Sequence, residues 1–267
     1  MLKERVLTAV IGLPLILLLM YFGGIPFAVV IFAASVIGLF EYMRCLGLEK
    51  SPLFVVCAVM SAAAFLLTEL FGKEYLFVCS ICCFLLLSAA MVIKFDRIRF
   101  EHVTASFLGF VYIPVILALF VLLREKSLYY VIFVLIAAWG SDTCAYFAGR
   151  AFGKHRMAPV LSPKKTWEGF AGGILGAVVL AIVFALIFRE KLSLLPAPIL
   201  SVSLVTAVAS VAGVAGDLFA SAIKRTFGIK DYGKIFPGHG GMMDRIDSMI
   251  FCTPVIYFAF EVLEKLH

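Results

Sequence analysis

Along its 267 residues the chain repeatedly runs for about 20 residues with almost no charge, near 6–23, 25–43, 52–70, 75–93, 103–123, 128–149, 168–188, 197–222 and 246–264. A helix of that length spans the roughly 30 Å hydrocarbon core of a bilayer, so nine membrane-spanning helices are expected. The runs are continuously apolar rather than alternating, which excludes a barrel, because each segment must satisfy its own backbone hydrogen bonds. Composition agrees: 63% of positions are hydrophobic and 15% charged, against about 25% charged in ordinary soluble domains. The chain therefore reads as an all-α polytopic membrane protein. Only "GGIP" separates the first two runs, and no small-residue cleavage site follows "LLLMYFGGIPF", so the first is expected to be a retained span and not a signal peptide.

Basic residues sort the connections. With nine spans, loops on the side of the N-terminus hold 17 of the 23 Lys and Arg, and the opposite side holds 6. The positive-inside bias places the N-terminus in the cytoplasm and the C-terminus across the membrane. It also predicts attraction to anionic headgroups of the inner leaflet of the cell membrane. Six of the seven cysteines lie in apolar runs and read as small hydrophobes in helices, not as a disulfide framework or metal site. No repeat and no long linker divides the chain, so residues 1–267 are expected to form one membrane domain. Within it, 1–126 carry helices without chemical motifs, and 127–267 carry the polar chemistry.

That chemistry starts with acids inside apolar runs. Asp217, in "SVAGVAGDLFASAIKR", precedes Lys224 by seven positions, which puts it roughly 10 Å below the helix end. Asp142, in "AAWGSDTCAYFAGR", precedes Arg150 by eight and lies roughly 12 Å deep. Carboxylates at such depth need a water-filled cavity, a cation or a basic partner. An internal ion pair that fixes helix packing is the plainer alternative for both. In "MDRIDSM", Asp244 and Asp247 stand three apart, on one helical face at the start of the ninth run. Each alone could simply cap that helix. Together with Asp217 they would repel one another unless a metal ion sat among them, and all-oxygen ligands suit Mg²⁺, which completes its shell with water and phosphate oxygens.

Just before that face, "PGHGGMM" sets Gly240 and Gly241 at a helix start, where backbone N–H groups can approach an anion. Pro-Gly and Gly-Gly are also ordinary turn chemistry, and His239 alone is an ordinary loop histidine. With Lys224, Arg225, Lys230 and Arg245 alongside, the stretch reads as a phosphate cradle. A second basic segment, "GRAFGKHRMAPVLSPKKTWEG", adds Lys164 and Lys165 on the same side of the membrane. Its "GRAFGKH" is one residue short of a Walker A loop and lacks the following Ser or Thr, so it is not a P-loop. A carboxylate-lined metal site ringed by cations and sunk into a bilayer suits phosphoryl or nucleotidyl transfer between a soluble polyphosphate and a lipid phosphate.

The stretch "SAIKRTFGIKDYGKIFPGHGGMMDRID" resembles the signature of the phosphatidate cytidylyltransferase (CDP-diacylglycerol synthase) family. Its positions are Ser221, Lys224, Arg225, Lys230, Asp231, His239, Gly240, Gly241, Asp244, Arg245 and Asp247. "SDTCAYFAGRAFGKH" and "SPKKTWEG" are similar to that family too, and together the matches span residues 139–247. The resemblance implies transfer of CMP from CTP to phosphatidic acid, with Mg²⁺ as cofactor and room for a second metal ion. Cytidine specificity rests on the resemblance alone. Asp217, Asp244, Asp247 and, more weakly, Asp142 are the expected metal ligands. Lys224 and Arg225 are expected on the lipid phosphate, and Ser221 is expected among the substrate-binding residues. Lys164, Lys165, Lys230, His239 and Arg245 are expected on the triphosphate, with Gly240 and Gly241 as substrate-binding residues of the glycine-rich loop. Expected partners are CTP, phosphatidic acid and membrane lipids, not nucleic acid, and small residues in "GFAGGILGA" could pack helices within a protomer or in a homodimer. Two rival readings are another CTP- or CDP-dependent lipid phosphotransferase and a cation transporter built on the buried acids.

Overall fold

The computed structural model describes residues 14, 16–235 and 240–266. Eight helices within them are long and apolar enough to cross a membrane: α1 (Gly24–Cys45), α2 (Pro52–Phe71), α3 (Glu74–Ile93), α4 (Phe100–Lys126), α5 (Leu128–Phe152), α6 (Trp167–Ile187), α7 (Pro198–Thr226) and α8 (Met243–Lys265). Each coincides with one expected run. The run near 6–23 lies mostly outside the described residues, although 16–22 are helical. The chain is thus an all-α, multi-pass membrane protein.

Local chemistry sets the helix ends. Ser51 caps α2 by accepting the Leu53 N–H at 3.3 Å, with Pro52 pre-set for the first turn. Ser127 caps α5 in the same way, through the Tyr129 N–H at 3.2 Å. Two helices widen into a π-turn midway. In α4 this is Val111–Val115, around Pro114, whose ring cannot fit a regular α-helix. In α5 it is Ile136–Gly140, directly before the half of the helix that carries Asp142.

The described residues gather into two compact units. One holds the chain up to Glu125 together with Phe227–Arg245. Here α1 packs on α2 and α4, and α2 on α3. The Tyr42 hydroxyl of α1 donates to the Ala105 carbonyl of α4 at 3.1 Å, and the Phe27 and Phe120 rings meet at 5.9 Å.

The other unit holds Lys126–Thr226 and the chain from Ile246 on. Its helices α5, α6 and α7 pack together, and Phe133 stands edge-on to both Phe184 of α6 and Phe260 of α8. The tightest seam runs between α5 and α6. Gly169, Gly172, Gly173 and Gly176 of α6 lie against Ser141, Cys144, Ala145, Ala148 and Gly149 of α5. A Cβ on Gly173 would stand 2.9 Å from the Ala145 Cβ and 2.9 Å from the Ser141 carbonyl oxygen. The "GFAGGILGA" stretch therefore packs helices inside the protomer, where small residues let backbones approach. Gly213 and Gly216 of α7 serve likewise against Cys252 and Phe251 of α8.

Between α5 and α6 the chain makes one departure from helix. Strands β1 (Arg156–Ala158) and β2 (Ser162–Thr166) form an antiparallel hairpin, with an irregular register between the Arg156–Thr166 and Ala158–Ser162 pairs. Nothing in its Lys- and Pro-rich sequence alternates as a strand should, so the two-stranded pairing was not legible beforehand.

Candidate active site

The hairpin exists to deliver β2 onto the start of α6. Thr166 ends β2 and caps α6, its hydroxyl accepting the Gly169 N–H at 3.1 Å. Glu168, in the first turn of α6, reaches back to accept the Lys154 N–H at 3.1 Å and the His155 N–H at 3.2 Å. It also pairs with His155 Nδ1 at 2.6 Å. Glu168 had not been singled out in the sequence, because "TWEG" looks like an ordinary helix start.

Lys165 is thereby fixed beside α7, where its Nζ meets Asp217 Oδ2 at 2.5 Å. Both side chains are only about a quarter exposed, at 23% and 26%. The basic partner that a carboxylate at this depth requires comes from the segment expected to hold triphosphate.

A cavity of about 320 Å³ opens next to this pair, lined by Asp142, Tyr146, Arg150, Lys164, Lys165 and Phe170 among others. Asp142 and Arg150, eight residues apart on α5, face it together. Arg150 was not among the expected site residues. Its position at the end of α5 read as membrane-flanking charge, and only the fold shows that it looks into the cavity.

On α7, Asp217, Ser221 and Lys224 follow at intervals of four and three and so share a face. Ser221 and Lys224 are buried, each 8% exposed. Asp217, Lys224 and Asp142 lie within electrostatic range of Asp247. Asp247 is itself 8% exposed and accepts the Ser248 N–H at 2.8 Å through Oδ1. Three of the four expected acids, with two lysines among them, thus share one neighbourhood.

The fourth, Asp244, belongs to the other unit and is bonded within its own loop. Its Oδ2 accepts the Tyr232 N–H at 2.9 Å and the Gly241 N–H at 3.0 Å, closing the glycine loop onto the start of α8. Gly240 holds φ +86°, a conformation that favours glycine. Tyr232 is 2% exposed, and burial pushes its phenol well above the ordinary range. Lys230, Arg225 and Arg245 are exposed, and His239 lies outside the described residues.

Two residues of α1 reach the same loop. Arg44 Nη2 donates to the Tyr232 carbonyl at 2.6 Å, and fully buried Glu41 accepts the Met243 N–H at 2.9 Å through Oε2. Neither was among the expected site residues. A lone Glu four residues from a helix end carries no signal until its partner is known.

The donors suit a hard divalent ion, since they are aspartate oxygens with neither sulfur nor imidazole among them. Among the described residues no three His, Cys, Asp or Glu side chains stand close enough to form a complete metal cage. Mg²⁺ does not require one, since one or two carboxylates suffice when water and substrate phosphates fill the shell. Asp217 and Asp247, balanced by Lys165 and Lys224, fit that requirement.

The profile of the cytidylyltransferase family matches residues 3–263. Among similar proteins, the phosphatidate cytidylyltransferase of Bacillus subtilis is 35% identical over 265 residues, 96% of each chain. That of Staphylococcus haemolyticus is 33% identical over 95% of this chain and 97% of its own. That of Thermotoga maritima is 37% identical over 62% of both. With a profile matched over nearly the whole length, and acids and lysines gathered as described, the chain belongs to the cytidylyltransferase family and is a membrane-embedded nucleotidyltransferase.

Proposed function

We propose that the chain transfers CMP from CTP to phosphatidic acid at the cytoplasmic face of the cell membrane, forming CDP-diacylglycerol and pyrophosphate. The observation that carries this reading is the placement of Asp217, Asp247 and Asp142 with Lys165 and Lys224, in a unit whose cavity also presents Arg150 and Lys164. Relatives named for the same activity support it.

Asp217 and Asp247 are the proposed Mg²⁺ ligands, with Asp142 in the same neighbourhood. Bound there, the ion would neutralise charge on the attacking and leaving phosphate oxygens. The residues of the chain do the rest. Lys164, Lys165 and Arg150 orient the triphosphate along the cavity, and Lys165 exchanges its hold on Asp217 for a phosphate oxygen as CTP enters. Lys224 and Arg225 hold the lipid phosphate, with Ser221 donating beside them. One oxygen of the lipid phosphate then forms a bond to the α-phosphorus while the α–β anhydride bond breaks and pyrophosphate departs. That oxygen is already anionic near neutral pH, so no strong general base is needed.

The test is incubation of purified protein with labelled CTP and phosphatidic acid in detergent. A liponucleotide and an equal amount of pyrophosphate support the reading. Cation flux in liposomes without turnover replaces it with transport.

A further inference from the structure

The proposed chemistry leaves Glu41 without a role, yet the fold gives it a costly position. It is 0% exposed, inside a span, and lies against the loop that ends in Asp244. Its Oε2 accepts the Met243 N–H across 202 positions of sequence. The carboxylate fills the space that a side chain on either Gly233 or Gly241 would need. One turn further along α1, Arg44 holds the Tyr232 carbonyl at 2.6 Å. Asp244 then ties Tyr232 to Gly241 through two N–H bonds to one oxygen. The loop is held at Tyr232 by Arg44, at Met243 by Glu41, and across its neck by Asp244.

A buried carboxylate is tolerated only where hydrogen-bond donors meet it. Here the donor is the Met243 N–H in the first turn of α8, where the helix dipole also favours negative charge. Losing the carboxylate would leave the Met243 N–H buried without its acceptor and would open a void against two glycines. The first turn of α8 would then be free to shift, and Asp244 with it. We infer that Glu41 is a positioning residue of α1: it seats the Gly240–Asp244 turn so that Asp244 and the Tyr232 and Gly241 amides bonded to it keep one fixed arrangement. Arg44 supports it from the other end of the loop. The inference rests on the proposed CTP chemistry for its kinetic consequence, but not for its structural one.

The experiment compares Glu41→Ala, Glu41→Gln and Gly233→Ala with the unaltered full-length protein in detergent, by amide hydrogen exchange and by steady-state kinetics. Gln keeps one acceptor for Met243, whereas Ala at 41 removes it and Ala at 233 evicts it. In Glu41→Ala and Gly233→Ala, exchange should rise about tenfold or more across residues 231–235 and 240–244 and stay unchanged in α2, α3 and α6. The KM for CTP should rise about tenfold or more, with a smaller fall in kcat. Glu41→Gln should recover most of the protection and most of the KM. Unchanged exchange in the loop of Glu41→Ala would overturn the inference, as would loss of protection throughout all helices, which marks a residue needed for the fold at large. An unchanged KM for CTP alongside a loosened loop would overturn it too. If the unaltered protein fails to turn over CTP, the proposed function falls, and the exchange pattern alone still decides whether Glu41 seats the loop.

Discussion

Gly173→Ala tests the α5–α6 seam with a single methyl group. That methyl would stand 2.9 Å from the Ala145 Cβ and 2.9 Å from the Ser141 carbonyl oxygen. Carbon–carbon contacts are comfortable at about 3.5–4.0 Å, so the helices must part by about 0.6 Å or more. Neither obstacle is the far end of a flexible side chain, so the strain cannot relax by a rotamer change. Overpacking of this kind costs about 1–3 kcal/mol. At about 2–4 °C per kcal/mol for a chain of this size, Tm in detergent should fall by roughly 2–12 °C. Activity should suffer more than stability. The seam sets the distance between Asp142 on α5 and the hairpin that leads into α6 and carries Lys165, and a displacement near 1 Å at a reacting centre can cost about a hundredfold. The assay pairs thermal unfolding with CTP turnover well below the new Tm, using Val179→Leu on the exposed face of α6 as control. A Gly173→Ala protein with Tm within about 1 °C of the parent and turnover within about twofold would refute the close packing described here.

The remaining expectations concern the site directly. Lys165→Ala leaves a three-quarters buried Asp217 without its ion-pair partner, and turnover should fall by about 10- to 100-fold, the worth of a charge-assisted hydrogen bond; radiolabelled CTP transfer reads it, and activity within about twofold of the parent argues against a working role. Gly240→Ala places a Cβ at φ +86° and 2.9 Å from Asp244 Oδ2, so Tm should drop by several degrees, for a strain of about 1–2 kcal/mol, and CTP turnover should fall with it. Removing divalent cations with EDTA should abolish turnover, and Mg²⁺ should restore it; undiminished activity in EDTA would remove the metal from the proposal. Glu168→Ala loosens the hairpin by freeing the Lys154 and His155 amides, so limited trypsin digestion should cut first between residues 154 and 165, at a rate above the parent's.

Long apolar runs made the helices legible because the bilayer enforces them: a segment with no polar partner in hydrocarbon has one way to satisfy its backbone. Asp217 and Asp142 were legible for the converse reason, since a carboxylate at their depth demands explanation. Which cation answers Asp217 was not. Lys165 lies 52 positions away, on a hairpin that sequence periodicity could not reveal. Asp244 shows the limit from another side. Its spacing from Asp247 predicted a shared helical face, but the two backbone N–H groups it accepts belong to a loop whose path no local pattern specifies. Glu41 and Arg44 went unread because a charge near the end of a span is commonplace, and their partners come some 200 residues later.

The stretch Phe227–Arg245 is grouped with the early helices although the chain has by then built most of the later unit. During synthesis the seat for this loop on α1 is therefore in place long before its occupant leaves the ribosome, and the first unit stays unfinished until nearly the last helix is made. Shortening the protein from its front would not simply strip an anchor from a catalytic half, because it would take away the surface on which the glycine loop settles.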